Sequence, residues 1–244
     1  MSRPLILAHR GLTHIAPENT YEAVAAAVAH GVAGLEIDVR PTRDGQLVCI
    51  HDDNAARIAA LDRRIADMSV DEIRKLTITR PHPDDGTMLT GRPLFYEELL
   101  ELTRHKFLLN IEVKGGNWKS DFLAERLIEP LQQRDMMDQT IISSFHYQPL
   151  MRIRRIAAST RTGFLIHPAS VRIGHPGWTA RWLKLYSIHP PKNIVNPIRI
   201  QTWRKFGYSI FVWTVNDKKH YDQLCDWGVD GIISDTPETL EGPE

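Results

Sequence analysis

The sequence is poor in cysteine and has no excess of charge of either sign, and each shortage excludes a class of protein. Only Cys49 and Cys225 occur in 244 residues, too few for a disulfide framework or a zinc cluster, so both are expected to pack in the core. Basic and acidic residues number 30 each, and no long run of one sign occurs. This balance argues against a nucleic-acid partner.

Long hydrophobic runs are also missing, which argues against a membrane-spanning helix. Residues 1–4 lead directly into an apolar segment without the pattern of a secretory signal. We therefore expect a cytoplasmic protein with no stable membrane insertion. The composition, 42% hydrophobic and 25% charged, is that of an ordinary globular protein, and the length suits one domain over residues 1–244.

Glu36 and Asp38 alternate with apolar residues in the segment Leu35–Arg40, a pattern typical of a strand. Residues two apart on a strand share a face, so the two carboxylates are expected to lie side by side. At a buried position their repulsion requires a cation, and oxygen ligands suit a hard divalent ion such as Mg2+ or Ca2+. A solvated strand edge with outward charges is the alternative interpretation.

A hairpin is predicted directly after this strand. Asp44-Gly45 is a dipeptide that tight hairpin turns favour, because such turns need positive φ angles. If the turn centres there, antiparallel pairing brings His51 opposite Asp38 and places an imidazole beside the carboxylates.

Apolar strand segments alternate with helical segments along the chain. The first helix is expected to have Asn19 as its N-cap, Glu22 at the capping-box position and Gly31 at its end. Without the hairpin return strand, eight strands alternate with helices, which predicts an α/β protein with a (β/α)8 TIM barrel. The strand segments are Leu5–Ala8, Leu35–Arg40, Phe107–Lys114, Thr140–Phe145, Arg161–Ile166, Leu185–His189, Ser209–Val215 and Gly231–Asp235. Catalytic groups are expected at the carboxyl ends of such strands.

Residues 52–95 interrupt this alternation. Connections between a strand and the next helix usually have about 2–6 residues, so we predict a small insertion after the second barrel strand, acting as a lid or specificity element. It is expected to hold one short helix, with Ser69 as N-cap and Glu72 in the capping box, and a mobile loop at Arg80–Gly86.

A set of short motifs follows in order along residues 5–237. The motifs are His9-Arg10-Gly11, Pro17-Glu18-Asn19-Thr20, Glu36-Ile37-Asp38-Val39, Asp44-Gly45, His51-Asp52, Asn110-Ile111-Glu112-Val113-Lys114, Ser143-Ser144-Phe145, Val212-Trp213-Thr214-Val215-Asn216, Trp227-Gly228-Val229-Asp230-Gly231 and Ser234-Asp235. The ordered set resembles the glycerophosphodiester phosphodiesterase family, in its cytoplasmic bacterial form. No single tripeptide is specific, but the order over nearly the whole chain is.

The resemblance implies metal-dependent hydrolysis of a small glycerophosphodiester to sn-glycerol 3-phosphate and an alcohol. It implies catalytic His9 and His51, metal ligands Glu36, Asp38 and Glu112 for one Mg2+ or Ca2+ ion, and substrate contacts from Arg10, Lys114, Trp213 and Phe145. The chemistry agrees, because a phosphodiester gains charge on attack, which a metal ion with arginine and lysine stabilises. One imidazole would remove a proton and the other would protonate the leaving alkoxide.

Several points stay open at this level. The sequence does not assign acid and base, although a place opposite Asp38 would favour His51 as the acid. The segments Asp53–Arg57 and Gly91–Phe95 depart from the family pattern and leave open which alcohol is accepted, and a homodimer is also left open. The alternatives are a lysophospholipase D-like or other lipid phosphodiesterase, a helical His-Asp metal phosphohydrolase and a non-catalytic barrel binding module.

Overall fold

The chain is organised around parallel strands, seen in a computed structural model that describes residues 3–104, 106–115, 121–167 and 183–240. The described strands are β1 Leu5–His9, β2 Gly34–Pro41, β3 Leu47–Cys49, β4 Ile78–Pro81, β5 Met88–Gly91, β6 Leu94–Phe95, β7 Leu108–Val113, β8 Thr140–Ser144, β9 Arg161–Leu165, β10 Ser187–His189, β11 Ser209–Val212 and β12 Gly231–Ser234.

The described α-helices lie mostly between these strands. They are α1 Tyr21–His30, α2 Ala56–Ala59, α3 Val70–Ile73, α4 Tyr96–Thr103, α5 Asp121–Gln133, α6 Tyr147–Ile156, α7 Pro197–Lys205, α8 Lys218–Trp227 and α9 Pro237–Leu240. Short 3-10 turns occur at Ile65–Asp67, Met137–Gln139 and Lys192–Ile194. None of the helices in the described ranges is long and apolar enough to cross a membrane.

Eight strands close into a parallel barrel in the order β1-β2-β7-β8-β9-β10-β11-β12, because β1 pairs with both β2 and β12. The predicted (β/α)8 barrel is confirmed. Strands β3 and β6 continue antiparallel from the outer end of β2 and lie outside the closed ring. In the barrel register, His9 lies level with Glu36, and Asp38 lies level with Glu112. The carboxyl ends of β1, β2 and β7 therefore present their polar side chains at one mouth.

Alternation along β2 explains why the acids point inward. Leu35, Ile37 and Val39 are fully buried in the main hydrophobic core, together with residues of the surrounding helices such as Val24 and Leu99. The inside of the barrel has its own apolar cluster of Leu7, Ile141, Phe211 and Ile233. Cys49 packs in the main core, as predicted, and Cys225 is partly buried against it.

Helix α1 begins one residue later than predicted. Its N-cap is Thr20, whose hydroxyl accepts a hydrogen bond from the backbone N–H of Ala23 at 3.2 Å. Asn19 was the wrong choice, because its backbone has a left-handed φ of 58° and its side chain is used elsewhere. Asparagine tolerates this conformation better than most residues. Gly31 ends the helix with φ 78°, as expected.

The insertion after β2 and its hairpin holds more structure than predicted. The capping box of Ser69 and Glu72 at α3 is present, but a second short helix, α2, precedes it. Segment Arg80–Gly86, predicted as a mobile loop, forms the end of β4 and the hydrogen-bonded tip of the β4–β5 hairpin. A separate hydrophobic cluster supports the insertion, including Ile50, Ile58, Ile65, Met68 and Ile73. The predicted pattern missed these elements because each is too short to show a period.

Candidate active site

Three buried carboxylates meet at the mouth of the barrel. Side-chain oxygens of Glu36, Asp38 and Glu112 all lie within 4.8 Å of one another. The three residues are 3%, 0% and 6% exposed. The parallel pairing of β2 with β7 places Glu112 level with Asp38, which the alternation of each strand alone could only suggest. A solvated strand edge is thereby ruled out.

Two cations hold the most buried of these acids in its charged form. Arg10 Nε lies 3.0 Å from Asp38 Oδ2, and Lys114 Nζ lies 3.0 Å from Asp38 Oδ1. Burial alone would raise the pKa of Asp38, but attraction to Arg10 and Lys114 outweighs it and holds the pKa below the usual range. Lys114 Nζ also lies 2.6 Å from Glu112 Oε1.

In the other two acids, attraction to Arg10 and Lys114 does not outweigh burial and mutual repulsion. Burial, followed by repulsion from Asp38, raises the pKa of Glu112 to about 7. Burial and the same repulsion, with that of Glu112, raise the pKa of Glu36 well above its usual value. Glu36 Oε2 is also buried without a hydrogen-bond partner among the described residues. An all-oxygen donor set with an orphaned buried oxygen and excess negative charge fits a divalent cation.

His51 lies beside this cluster, but its predicted pairing is wrong by one residue. Val39 pairs with Cys49, so Ile50 is opposite Asp38 and donates its N–H to the Asp38 carbonyl at 3.0 Å. His51 follows, and its carbonyl accepts a hydrogen bond from Arg40 Nε at 2.9 Å. Burial lowers the pKa of His51 despite the nearby Asp38. The premise for His51 as the acid, a place directly opposite Asp38, is therefore wrong.

His9 is held between two carboxylates. Its Nδ1 lies 2.6 Å from Asp235 Oδ1, and its Nε2 lies 3.7 Å from Glu36 Oε2. Asn216 positions the acid in turn, because its side-chain amide donates to Asp235 Oδ2 at 2.7 Å and its Oδ1 accepts from the Asp235 N–H at 2.9 Å. The ring of His9 is thus fixed with Nε2 toward the carboxylate cluster.

His51 carries a similar partner. Its Nδ1 lies 2.7 Å from Asp52 Oδ1. Each of the two predicted histidines therefore has an aspartate at Nδ1, an arrangement that fixes the tautomer and the orientation of the ring. The neighbours of His51 also settle one alternative, because the strand Leu47–Cys49 leads into it and a helical His-Asp site would need a helix.

The predicted aromatic residues lie at the same mouth. Phe145 and Trp213 make an edge-to-face contact with ring centroids 5.7 Å apart. Lys114 Nζ is 5.9 Å from the centre of the Phe145 ring, and the Trp213 indole N–H donates to the His189 carbonyl at 2.7 Å. The aromatic pair thus borders the cationic side of the carboxylate cluster.

Sequence reasoning gave no role in the site to several residues that organise it. Asn19 donates its amide to Asp38 Oδ2 at 2.9 Å and accepts from the Asp38 N–H at 3.1 Å, so it fixes that carboxylate. Asp235 and Asp52 orient the histidines, and Glu18 accepts from Arg10 Nη1 at 2.8 Å. All four stand in the quoted motifs, which was the available signal. Their partners were hidden because three of the four contacts join separate segments.

The sequence is similar to known proteins over nearly its whole length. The sequence matches the model of the glycerophosphoryl diester phosphodiesterase family over residues 9–239. It is 33% identical over 240 residues to a glycerophosphodiester phosphodiesterase of Caldanaerobacter subterraneus subsp. tengcongensis, covering 98% of this chain and 96% of the relative.

Two solved structures are similar in fold. A glycerophosphodiester phosphodiesterase from Thermotoga maritima superposes with a TM-score of 0.77 at 28% identity, covering 98% of each chain. A phosphodiesterase from Oleispira antarctica, solved in complex with the product sn-glycerol-3-phosphate, superposes with a TM-score of 0.81 at 23% identity, covering 98% of this chain and 96% of that chain.

Proposed function

The chain belongs to the glycerophosphoryl diester phosphodiesterase family and is an enzyme of that activity, and we propose that it hydrolyses small glycerophosphodiesters with a divalent cation and two histidines. The products would be sn-glycerol 3-phosphate and an alcohol. The observation that carries this proposal is the pair of aspartate-bound histidines beside three buried carboxylates at one barrel mouth. Membership in the family and a complete set of these groups rule out a non-catalytic barrel module.

Glu36, Asp38 and Glu112 would hold the cation, as their burial and the orphaned oxygen of Glu36 favour. When bound, it would polarise the phosphoryl oxygen and stabilise the charge that develops on attack. Carboxylate oxygens alone suit either Mg2+ or Ca2+, so the choice of ion is a matter for experiment. Asn19 keeps Asp38 in place for this role.

Arg10 and Lys114 would bind the phosphate, because both are cations at the rim of the same cluster. An arginine beside the reacting phosphoryl group offers several donors in a plane, and a lysine offers a point charge. Trp213 would pack against the glycerol, with Phe145 held edge-on behind it. The complex of the Oleispira antarctica neighbour with sn-glycerol-3-phosphate supports a glycerophosphate-binding mouth.

The two histidines would divide the proton transfers. Burial lowers the pKa of His51, which favours the neutral imidazole and the role of base. His9 is then assigned the remaining role of acid, with its ring held by Asp235 and its Nε2 toward the carboxylate cluster.

A two-step route follows from the family resemblance. His51 would take the proton of a substrate glycerol hydroxyl while the oxygen of that hydroxyl forms a bond to phosphorus. The bond from phosphorus to the departing alcohol breaks, and His9 gives that alkoxide a proton. The cyclic phosphate would then be opened by water with the two proton transfers reversed, which regenerates both histidines.

The test is turnover of a panel of glycerophosphoalcohols and one lysophospholipid, each with Mg2+ or with Ca2+. We expect hydrolysis of the small water-soluble diesters with release of sn-glycerol 3-phosphate. Faster turnover of the lysophospholipid would instead select the lipid phosphodiesterase alternative. Loss of all turnover of diesters under every metal condition would contradict the proposal.

A further inference from the structure

The first helix of the insertion places Arg57 between two parts of the active site. Helix α2 spans only Ala56–Ala59, and it follows His51 by a few residues. Asn54 Oδ1 accepts a hydrogen bond from the Ala56 N–H at 2.8 Å, and the Ala55 N–H donates to the Arg63 carbonyl at 2.9 Å. These contacts fix the start of the short helix, and the Arg57 side chain reaches two carboxylates at the site.

All three groups of the Arg57 guanidinium are engaged with carboxylates. Nε donates to Asp52 Oδ2 at 2.6 Å. Nη2 donates to Glu18 Oε1 at 2.8 Å and Nη1 to Glu18 Oε2 at 3.3 Å, so the contact with Glu18 is bidentate. Such forked contacts fix the orientation of both partners, because the guanidinium is planar and its donors are rigid.

Each of these carboxylates touches a residue with a proposed role in the chemistry. Asp52 uses its other oxygen to hold His51 Nδ1 at 2.7 Å. Glu18 Oε1 also accepts from Arg10 Nη1 at 2.8 Å, and Arg10 Nε lies 3.0 Å from Asp38. An unbroken series of hydrogen bonds therefore runs from His51 through Asp52, Arg57 and Glu18 to Arg10.

The contacts of Arg57 contribute little to the stability of the fold. The Arg57 side chain is 51% exposed, and ion pairs at such exposed positions contribute little to stability. The inner end is different, since the side chains of Glu18 and Arg10 are 14% and 17% exposed. An exposed arginine is thus hydrogen-bonded to a mostly buried carboxylate that in turn contacts Arg10.

We propose that Arg57 is a positioning residue that couples the imidazole of His51 to the phosphate-binding guanidinium of Arg10. The inference rests on the proposed roles of His51 and Arg10. It changes the meaning of the insertion, whose departure from the family pattern at Asp53–Arg57 suggested an effect on the accepted alcohol alone. The insertion also supports the reaction itself.

The experiment compares Arg57→Ala and Arg57→Lys with wild type in steady-state hydrolysis of glycerophosphocholine at saturating divalent cation. Because Arg57 acts on both partners, Arg57→Ala should lower kcat and raise KM, with a loss in kcat/KM of about 10–100-fold, typical of outer-shell partners. Arg57→Lys should recover little, since lysine cannot make the forked contact. Added guanidinium ion should restore part of the activity of Arg57→Ala and none to wild type.

A double-mutant cycle tests the connection directly. In the Asp52→Asn background, Arg57→Ala should lower kcat less than it does in wild type. Arg57 reaches His51 through its contact with Asp52, and Asp52→Asn has already weakened that contact. Arg63→Ala is the matched control: Arg63 lies in the same insertion and pairs with Glu72 at 2.8 Å, away from the site. It should leave kcat and KM unchanged, and thermal melting should show whether each variant is folded.

The outcomes separate this inference from the proposed function. A wild-type protein without turnover of any diester overturns the proposed function. An active wild type with unchanged kinetics in Arg57→Ala overturns the positioning role. Loss of activity without rescue by guanidinium ion, and with additive effects in the cycle, also overturns it, because it would indicate general destabilisation.

Discussion

His9 Nδ1 lies 2.6 Å from Asp235 Oδ1, across the seam where the last barrel strand meets the first. The two residues are 226 positions apart in the chain. His9 ends β1, Asp235 directly follows β12, and these two strands pair with each other. The contact therefore exists only when the barrel is closed. Proper orientation of His9 consequently depends on closure of the whole sheet.

Replacing Asp235 by asparagine should leave the fold intact and lower kcat by about 10–100-fold, because the amide no longer fixes the tautomer of His9. Steady-state kinetics with a melting curve would measure this. Asp217→Asn is the matched control, since Asp217 lies 2.7 Å from His220 Nδ1 in an exposed pair outside the site and asparagine still caps α8. Equal losses in both variants would contradict the role of Asp235.

The roles of the two histidines can be separated by the leaving group. His9→Ala and His51→Ala should each lower turnover of glycerophosphocholine by about 10²–10⁴-fold, the usual range for general acid–base groups. A nitrophenyl phosphodiester of glycerol departs without a proton, so His9→Ala should recover much of its rate on that ester and His51→Ala should not. Equal recovery of both variants, or of neither, would show that this division of roles is wrong.

Removal of divalent cations by a chelator should abolish turnover, and calorimetric titration should then reveal one binding site. Glu112→Gln keeps the side-chain volume but removes a ligand charge. It should weaken binding of Mg2+ or Ca2+ more than the loss of a residue that only orients a ligand, which typically costs about 10–100-fold. Glu97→Gln serves as control, because Glu97 makes only an exposed pair with Arg134 among the described contacts. Full turnover after exhaustive dialysis against chelator would contradict the metal assignment.

His189 should make the stability of the protein sensitive to acid. Its imidazole is fully buried in the barrel, with Nε2 2.8 Å from Ser187 Oγ, and burial lowers its pKa from 6.5 to about 3. Between these values the unfolded chain binds a proton that the folded protein does not. The contribution of His189 to the free energy of unfolding is therefore full above pH 6.5 and is lost toward pH 3, by up to about 1.4 kcal/mol per pH unit.

Urea unfolding of wild type and His189→Gln between pH 7 and 4 would measure this loss of stability. The range covers most of the interval between the unfolded pKa of 6.5 and the folded pKa of about 3. The difference in unfolding free energy between the two proteins should shrink as the pH falls, since glutamine does not titrate. Comparing slopes removes the constant cost of the altered packing. Parallel curves over the whole range would show that His189 takes up its proton equally in both states.

The sequence by itself determined the parts of this protein that depend on neighbouring residues. Alternation in Leu35–Arg40 placed Glu36 and Asp38 on one face, and the succession of strand and helix segments predicted the barrel. The quoted motifs identified all nine proposed site residues, and the structure brings their strand ends to one mouth. Such features are readable because a strand or helix repeats with a fixed period.

Only the tertiary structure decided how these residues are held. The hairpin register placed Ile50 opposite Asp38 and moved His51 by one position, because the geometry of the turn sets pairing and the sequence signals the turn alone. Barrel closure brought Asp235 to His9, and the insertion brought Arg57 to Glu18. Asn19, predicted as the helix N-cap, instead hydrogen-bonds to Asp38. Contacts between distant segments carry no period, so they follow from the packing of the whole chain.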